Sequence, residues 1–236
     1  MTEALRLDGV CKRFGQVRAV EGLSLGVPAG GICGLPGPNG AGKTTTLRMV
    51  MNIISPDEGR IEVLGRPSSR LAKSRVGYMP EERGLYRRMT VGATLGYFGA
   101  IKGLPAGQLA RGIPRWLQRV GLAECAPRRV EEMSRGMHQK LQFAVTCMGE
   151  PDLVMLDEPF AGLDPVNLEL LKGIILDLRR QGKTVLFSTH GMHEAEELCD
   201  CIFLIDKGRL VLEGTLEQVR SRWARPGTVV AELEGE

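Results

Sequence analysis

The sequence predicts an α/β protein in three parts: an N-terminal antiparallel β subdomain, a core built on a buried parallel sheet, and an α-helical subdomain inserted into that core. Three observations predict it. Short apolar runs alternating with turns (LRLDGV, VRAVEGLSLGV) open the chain, as half-buried antiparallel strands do. The runs ICGL, LVMLD and TVLFS are apolar without alternation, as in strands covered on both faces. Between Thr90 and Glu150, helix-like segments replace the strands.

Taken in order, ICGL is an inner strand followed by a Gly-rich turn and a helix over KTTTLRMVMNII. SPDEGRIEVLG combines turn residues with a short strand, and RVGYMP is a strand ending in proline before the charged loop EERGLYRR. TVGATLGYFGAIKGL and PRWLQRVGLAE read as helices. Gly92, Gly96 and Gly99 each cost about 1 kcal/mol relative to alanine in such a helix, so packing must hold it; they suit a moving lobe or close helix packing. LVMLD and TVLFS flank a helix that Asp164 caps, Pro165 opens and Gly182 ends, with Leu168, Leu171, Ile175 and Leu178 on one face. The tail after Trp223 is polar, with a possible strand at TVVAEL. The expected organisation is one domain over 1–236. Its core and β subdomain occupy 1–88 and 150–220, its helical subdomain 89–149 and its tail 221–236.

Hydrophobic residues at 43% and charged residues at 25% are ordinary for a globular protein and argue against disorder. The net charge of +3 is too small for a nucleic-acid partner to be expected. Six scattered cysteines form no CxxC pair or His–Cys cluster, so they read as buried reduced thiols rather than a zinc site. The N-terminus lacks a basic region followed by an apolar one, and no window approaches the ~20 apolar residues that cross a bilayer. Any membrane role must therefore come through a partner.

The chemistry starts at GPNGAGKT, Gly37–Thr44, which fits G-x-x-x-x-G-K-[ST] between a buried strand and a helix. Glycines let backbone N–H groups turn inward around phosphate oxygens, and the helix N-terminus adds favourable potential. Gly37, Pro38, Asn39, Gly40, Ala41, Gly42, Lys43, Thr44 and the adjoining Thr45 form the expected nucleotide-binding set. Lys43 would reach the terminal phosphates, and Thr44 would hold Mg²⁺. LVMLDEP places Asp157 and Glu158 at the end of a buried strand, Asp157 for the metal and Glu158 as general base for the attacking water. Alone, such a pair is also a common acidic strand-to-loop transition.

Read together, these motifs resemble the ABC ATPase family across nearly the whole chain, which implies a phosphate-loop (RecA-like) core. Phe14 in CKRFG matches the family's adenine-stacking aromatic; it also reads as a core aromatic near a turn. MSRGM at Met133–Met137 stands at the signature position, where Ser134 and Gly136 start a helix and, in the family, complete a partner subunit's ATP pocket. By itself Ser134 is a plain helix N-cap. Gly162–Asp164 resembles the dimer-contact loop and His190 the switch histidine that orients the nucleophilic water. His138 and His193 lack such context and read as surface or helix residues.

The pattern departs from the family's in three places. Arg135 and Met137 replace a glycine and a glutamine of the usual signature, Glu81 replaces the usual loop glutamine, and Pro36 precedes the phosphate loop. Glu81 could still ligate Mg²⁺ or water. PEERGLY and the SRGM helix start look most like ATPase subunits of two-component exporters, which often carry a further C-terminal domain.

The resemblance implies an ATP-hydrolysing subunit, binding ATP and Mg²⁺, that powers a separate membrane permease from the cytoplasmic face of the membrane. It would work as a homodimer or with a paired ATPase subunit. The loop at Glu81–Tyr86 and the helical subdomain would receive the permease's cytoplasmic helix, near Arg83, Arg87 and Arg88. The alternative is a soluble ABC ATPase acting on ribosomes or chromosomes. Ribosome-acting relatives resemble two such units in one chain. Chromosome-acting ones insert a long coiled coil where this chain has about 90 residues and no heptad run.

Overall fold

A computed structural model describes residues 2–68, 75–82 and 84–223. Arg83 and the possible strand TVVAEL lie outside the described residues.

Two sheets organise the chain. Strands β1 (Glu3–Phe14), β2 (Val17–Pro28), β4 (Glu58–Val63) and β5 (Arg66–Pro67) form an antiparallel sheet in the order β2-β1-β4-β5. The second sheet has the order β10-β9-β3-β8-β7-β6. Its members are β3 (Ile32–Pro36), β6 (Val76–Met79), β7 (Leu153–Asp157), β8 (Thr184–Thr189), β9 (Cys201–Asp206) and β10 (Arg209–Thr215). Pairing is parallel from β9 through β3, β8 and β7 to β6, and β10 joins β9 as an antiparallel edge.

Every residue of β3, β7 and β8 is buried. Successive side chains of a strand point to opposite faces, and here each face meets its own core. Val154, Leu156, Val185 and Phe187 pack into the helical core, whereas Leu153, Met155 and Leu186 pack toward the antiparallel sheet.

The helices are α1 (Lys43–Val50), α2 (Val91–Ile101), α3 (Ala106–Arg119), α4 (Arg135–Cys147), α5 (Pro165–Arg180), α6 (Met192–Leu198) and α7 (Leu216–Trp223). Helix α1 stops at Val50, short of the apolar run's end at Ile54; Asn52 beyond it takes a positive φ of 51°. Helix α3 begins at Ala106 rather than at Pro114, which lies inside it. The reading from sequence put proline at a helix start, its commonest helical place, but Pro105 already supplies the N-cap. Helix α5 follows its expected caps: Asp164 Oδ1 accepts from Asn167 N at 3.0 Å, and Gly182 beyond the C-terminus has φ +75°.

Packing accounts for Gly99. A Cβ there would collide with the Leu109 side chain of α3 and stand 3.1 Å from the Met148 sulfur, so a larger residue fits only if those side chains shift. All six cysteines are free thiols; Cys33, Cys147 and Cys199 are buried, while Cys11, Cys125 and Cys201 are half-buried instead of fully enclosed. No helix among the described residues is long and apolar enough to cross a membrane.

Candidate functional site

The site forms where β3 turns into α1. Gly42 precedes α1 with φ 102°, a left-handed conformation that favours glycine, and a Cβ there would lie 2.5 Å from the Ala19 carbonyl oxygen. Gly37 sits against the Ile205 carbonyl at the end of β9, leaving no room for a side chain. The loop is thus braced by β2 on one side and β9 on the other, and its N–H groups belong to the start of α1.

Beside the loop lies an open cleft of about 440 Å³ lined by Val17, Ala19, Gly40, Lys43, Thr45, Glu81 and Glu158, with Asn39, Ala41, Gly42 and Thr44. Lys43 is only 6% exposed. Its ammonium donates to the carbonyls of Gly37 at 2.6 Å and Pro38 at 3.2 Å, and pairs with Glu158 Oε1 at 3.3 Å. The other carboxylate oxygen, Oε2, is 2.8 Å from His190 Nδ1. His190 follows β8 directly, and its side chain is open to solvent. One carboxylate therefore bridges a buried cation and an accessible imidazole.

Glu158 itself is held in an uncommon conformation. Its φ is +49°, and a non-glycine residue in that region costs about 1–3 kcal/mol and persists only where its surroundings impose it. They do so here from both sides. The backbone N–H donates to Ser188 Oγ at 3.0 Å, and the carbonyl accepts from Gln139 Nε2 of α4 at 3.2 Å.

Asp157 is fully buried one residue earlier. Burial pushes its carboxyl group up, while Ser188 and the neighbouring Thr44 hydroxyl hold it down. Oδ1 accepts from Ser188 Oγ at 2.6 Å. Oδ2 is buried with no hydrogen-bond partner among the described residues. Leaving a carboxylate oxygen dry and unpaired is costly, and beside the Thr44 hydroxyl it makes a hard oxygen donor set that suits Mg²⁺.

Not every expected residue reaches this cleft. Phe14, 50% exposed at the end of β1, does not line it, although its register partner Val17 does; the Lys12 ammonium sits 5.6 Å from the Phe14 ring centre. Ser134 and Gly136 are also elsewhere, at the start of α4. Ser134 Oγ caps that helix by accepting from Met137 N at 3.3 Å, and a Cβ on Gly136 would meet Leu163 at 3.5 Å. His138 is half-buried on α4, with Nε2 2.5 Å from the Val130 carbonyl oxygen. His193 is exposed on α6, with Nε2 3.8 Å from Glu197.

Three polar residues of the site were not expected. Gln139 Nε2 reaches the carbonyls of both Glu158 and Pro159, and Gln142 Nε2, one turn on, reaches Pro80 at 2.7 Å and Glu82 at 3.1 Å. One helix thereby grips the loops that follow β6 and β7. Ser188 is the third. Their common signal is a polar residue interrupting an apolar run: QKLQFAV for the glutamines, TVLFST for the serine.

The sequence profile of the ABC transporter family matches residues 20–161. The ABC transporter ATP-binding protein YhaQ of Bacillus subtilis is 41% identical over 226 residues, covering 96% of this chain and 76% of that protein. The Nod factor export ATP-binding protein I of Paraburkholderia xenovorans is 41% identical over 214 residues, 89% of this chain and 70% of its own. A solved ATP-binding subunit of an ABC transporter superposes with a TM-score of 0.87 at 28% identity, covering 96% of this chain and 95% of that one. CbiO1 of Clostridium perfringens, part of the CbiONQ transporter complex, shares the fold with a TM-score of 0.81 at 22% identity, covering 94% and 92%.

Proposed function

The chain belongs to the ABC transporter family as an ATP-binding subunit and ATPase, and from that premise we propose how its own residues bind ATP, hydrolyse it and transmit the result. The observation that carries the reading is the line Lys43–Glu158–His190 along the cleft beside the phosphate loop.

Residues 37–45 cradle the nucleotide's phosphates through backbone N–H groups, and Lys43 leaves the loop carbonyls to meet the terminal phosphate charge. Glu158 accepts a proton from the attacking water. His190 orients that water and steadies the γ-phosphate, its ring steered by Glu158 Oε2. Thr44 and Asp157 would hold Mg²⁺, and Glu81, which lines the same cleft, could add an oxygen or bind a water. When bound, the metal supplies charge neutralisation for the phosphate oxygens. Phe14 lies outside the cleft beside Val17, which lines it, and would stack on the adenine where the base leaves the cleft.

Ser134 and Gly136 act on the partner's nucleotide, since they lie outside their own chain's cleft at a helix N-terminus. Two copies meet head-to-tail around two ATP molecules. The loop after β6 and helix α2 receive a helix of the membrane permease. Supporting this, a groove of about 380 Å³ lined by Met51, Tyr78, Leu85, Phe98, Ile101 and Val145 opens there, and Tyr86, Tyr97 and Ile101 beside it are exposed. The ATPase then rests on the cytoplasmic face of the membrane through its permease. The likeness to Nod factor export proteins favours export as the direction.

The test is ATP hydrolysis beside binding of a fluorescent ATP analogue. Glu158→Gln should keep binding and lose the rate by on the order of 10²–10⁴-fold, as expected for removing a general base. Lys43→Ala should lose binding. A Glu158→Gln variant that turns over at the normal rate would remove Glu158 from the chemistry.

A further inference from the structure

We infer that Cys33 and Cys201 form a reversible oxidation site, a dithiol that closes to a disulfide between β3 and β9 when it meets a peroxide. The two residues are register partners in a parallel pair, so their side chains leave the sheet on the same face. Their sulfurs are 2.7 Å apart. A disulfide needs an S–S distance of about 2.04 Å, so closure moves the sulfurs together by less than an ångström. The pair is far apart in the chain, 168 residues, so only the fold creates it.

The two thiols are unequal in ways that assign their roles. Cys201 is half-buried, whereas Cys33 is buried against the antiparallel sheet's core, so an oxidant arrives at Cys201. The two sulfurs share a hydrogen bond in which either thiol can donate; with Cys33 as the donor it holds Cys201 below the ordinary thiol range, while that bond and burial keep Cys33 above it. The thiolate is the nucleophile, and the half-buried sulfur is the one the oxidant reaches.

Cys201 sulfur attacks one oxygen of hydrogen peroxide; the O–O bond breaks, a sulfenic acid forms and the leaving hydroxide takes a proton to become water. Cys33 sulfur then attacks the sulfenic sulfur. The S–S bond forms, the S–O bond breaks, and the Cys33 proton leaves with the oxygen as a second water. Two thiols are oxidised by two electrons and one peroxide is reduced. A dithiol reductant reverses it by exchange.

Cys199 is not the second thiol. It is buried on the opposite face, where its sulfur would sit 2.8 Å from a Cβ on Gly34. The site's position gives it a target. Strand β3 runs straight into the phosphate loop, and the end of β9 supports that loop at Gly37, so the bond fastens together the two strands beneath the nucleotide cleft.

The test uses the full chain, purified reduced, treated with stoichiometric hydrogen peroxide and alkylated before digestion under acidic, non-reducing conditions. The expected product is lighter by two hydrogens, has four alkylated thiols in place of six, and yields one cross-linked peptide joining Cys33 to Cys201 that dithiothreitol separates. Cys33→Ala should stop at a Cys201 sulfenic acid, trapped by dimedone, with no two-hydrogen loss. A linkage through any other pair, or Cys201 over-oxidised in the wild-type chain with Cys33 still free, would overturn the assignment. The wild-type map decides the matter even if Cys33→Ala folds poorly.

Discussion

Gln139 of α4 donates its side-chain amide to the main-chain carbonyl of Glu158 at 3.2 Å, so the helix that starts at Ser134 holds the proposed general base of its own chain. Movement at the start of α4 is thereby linked to the conformation of Glu158. Gln139→Leu keeps the helix and the volume but removes the donor. It should lower kcat on the order of tenfold, the consequence of losing ~1–2 kcal/mol of positioning, while ATP affinity stays within about threefold. Steady-state hydrolysis beside analogue titration separates the two. An unchanged kcat would mean that Ser188 alone fixes Glu158.

Gly42 offers a second check. An alanine there must accept a left-handed backbone and a Cβ 2.5 Å from the Ala19 carbonyl. Gly42→Ala should cost about 1–3 kcal/mol, displacing the phosphate loop more than it unfolds the chain. Analogue affinity should fall at least tenfold while the urea midpoint moves modestly. Unimpaired binding would show that β2 yields to the new methyl group.

The core fold was legible because its signals are local. Continuous apolar runs named the buried strands, and the phosphate-loop spacing named the strand-to-helix turn. Helix α3 differs from the expected PRWLQRVGLAE at both ends: Pro114 looks like a helix start until Pro105 is seen capping one earlier, and the helix stops at Arg119, before Gly121 at φ 64°. Gln139, Gln142 and Ser188 were invisible for a different reason. Each acts on a main-chain or carboxylate oxygen at least 19 residues away in the chain, and spacing along the sequence carries no record of such contacts. The Cys33–Cys201 pair is hidden likewise, by strand order.

Lys102 gives a pH prediction. Its ammonium donates to the Val145 and Thr146 carbonyls at the end of α4, and burial lowers it to about 8 from 10.5. A lysine lowered on folding adds stability that is present above its unfolded value and is lost as pH falls through about 8. The urea midpoint of the wild type relative to Lys102→Met should therefore rise between pH 7 and pH 10. A difference that stays flat or falls over that range would contradict it.

Metal removal addresses Asp157. Its unpartnered Oδ2 predicts that chelating Mg²⁺ abolishes hydrolysis and that Asp157→Asn responds little to added Mg²⁺. Hydrolysis titrated with Mg²⁺ checks this. A normal Mg²⁺ response in Asp157→Asn would move the metal to other ligands.

Arg87 and Arg88 are exposed on the loop whose Gly84 and Leu85 line the groove proposed for the permease. Reversing both charges should weaken co-purification with the permease and leave ATP binding intact. Unchanged co-purification would place the docking surface elsewhere.

Size-exclusion chromatography of Glu158→Gln with and without Mg-ATP tests whether two chains share the nucleotide site. An ATP-dependent shift from monomer to dimer is expected, and a second substitution, Ser134→Arg, should abolish it. A Glu158→Gln chain that binds ATP yet remains a monomer, or a dimer indifferent to Ser134→Arg, would contradict a shared site.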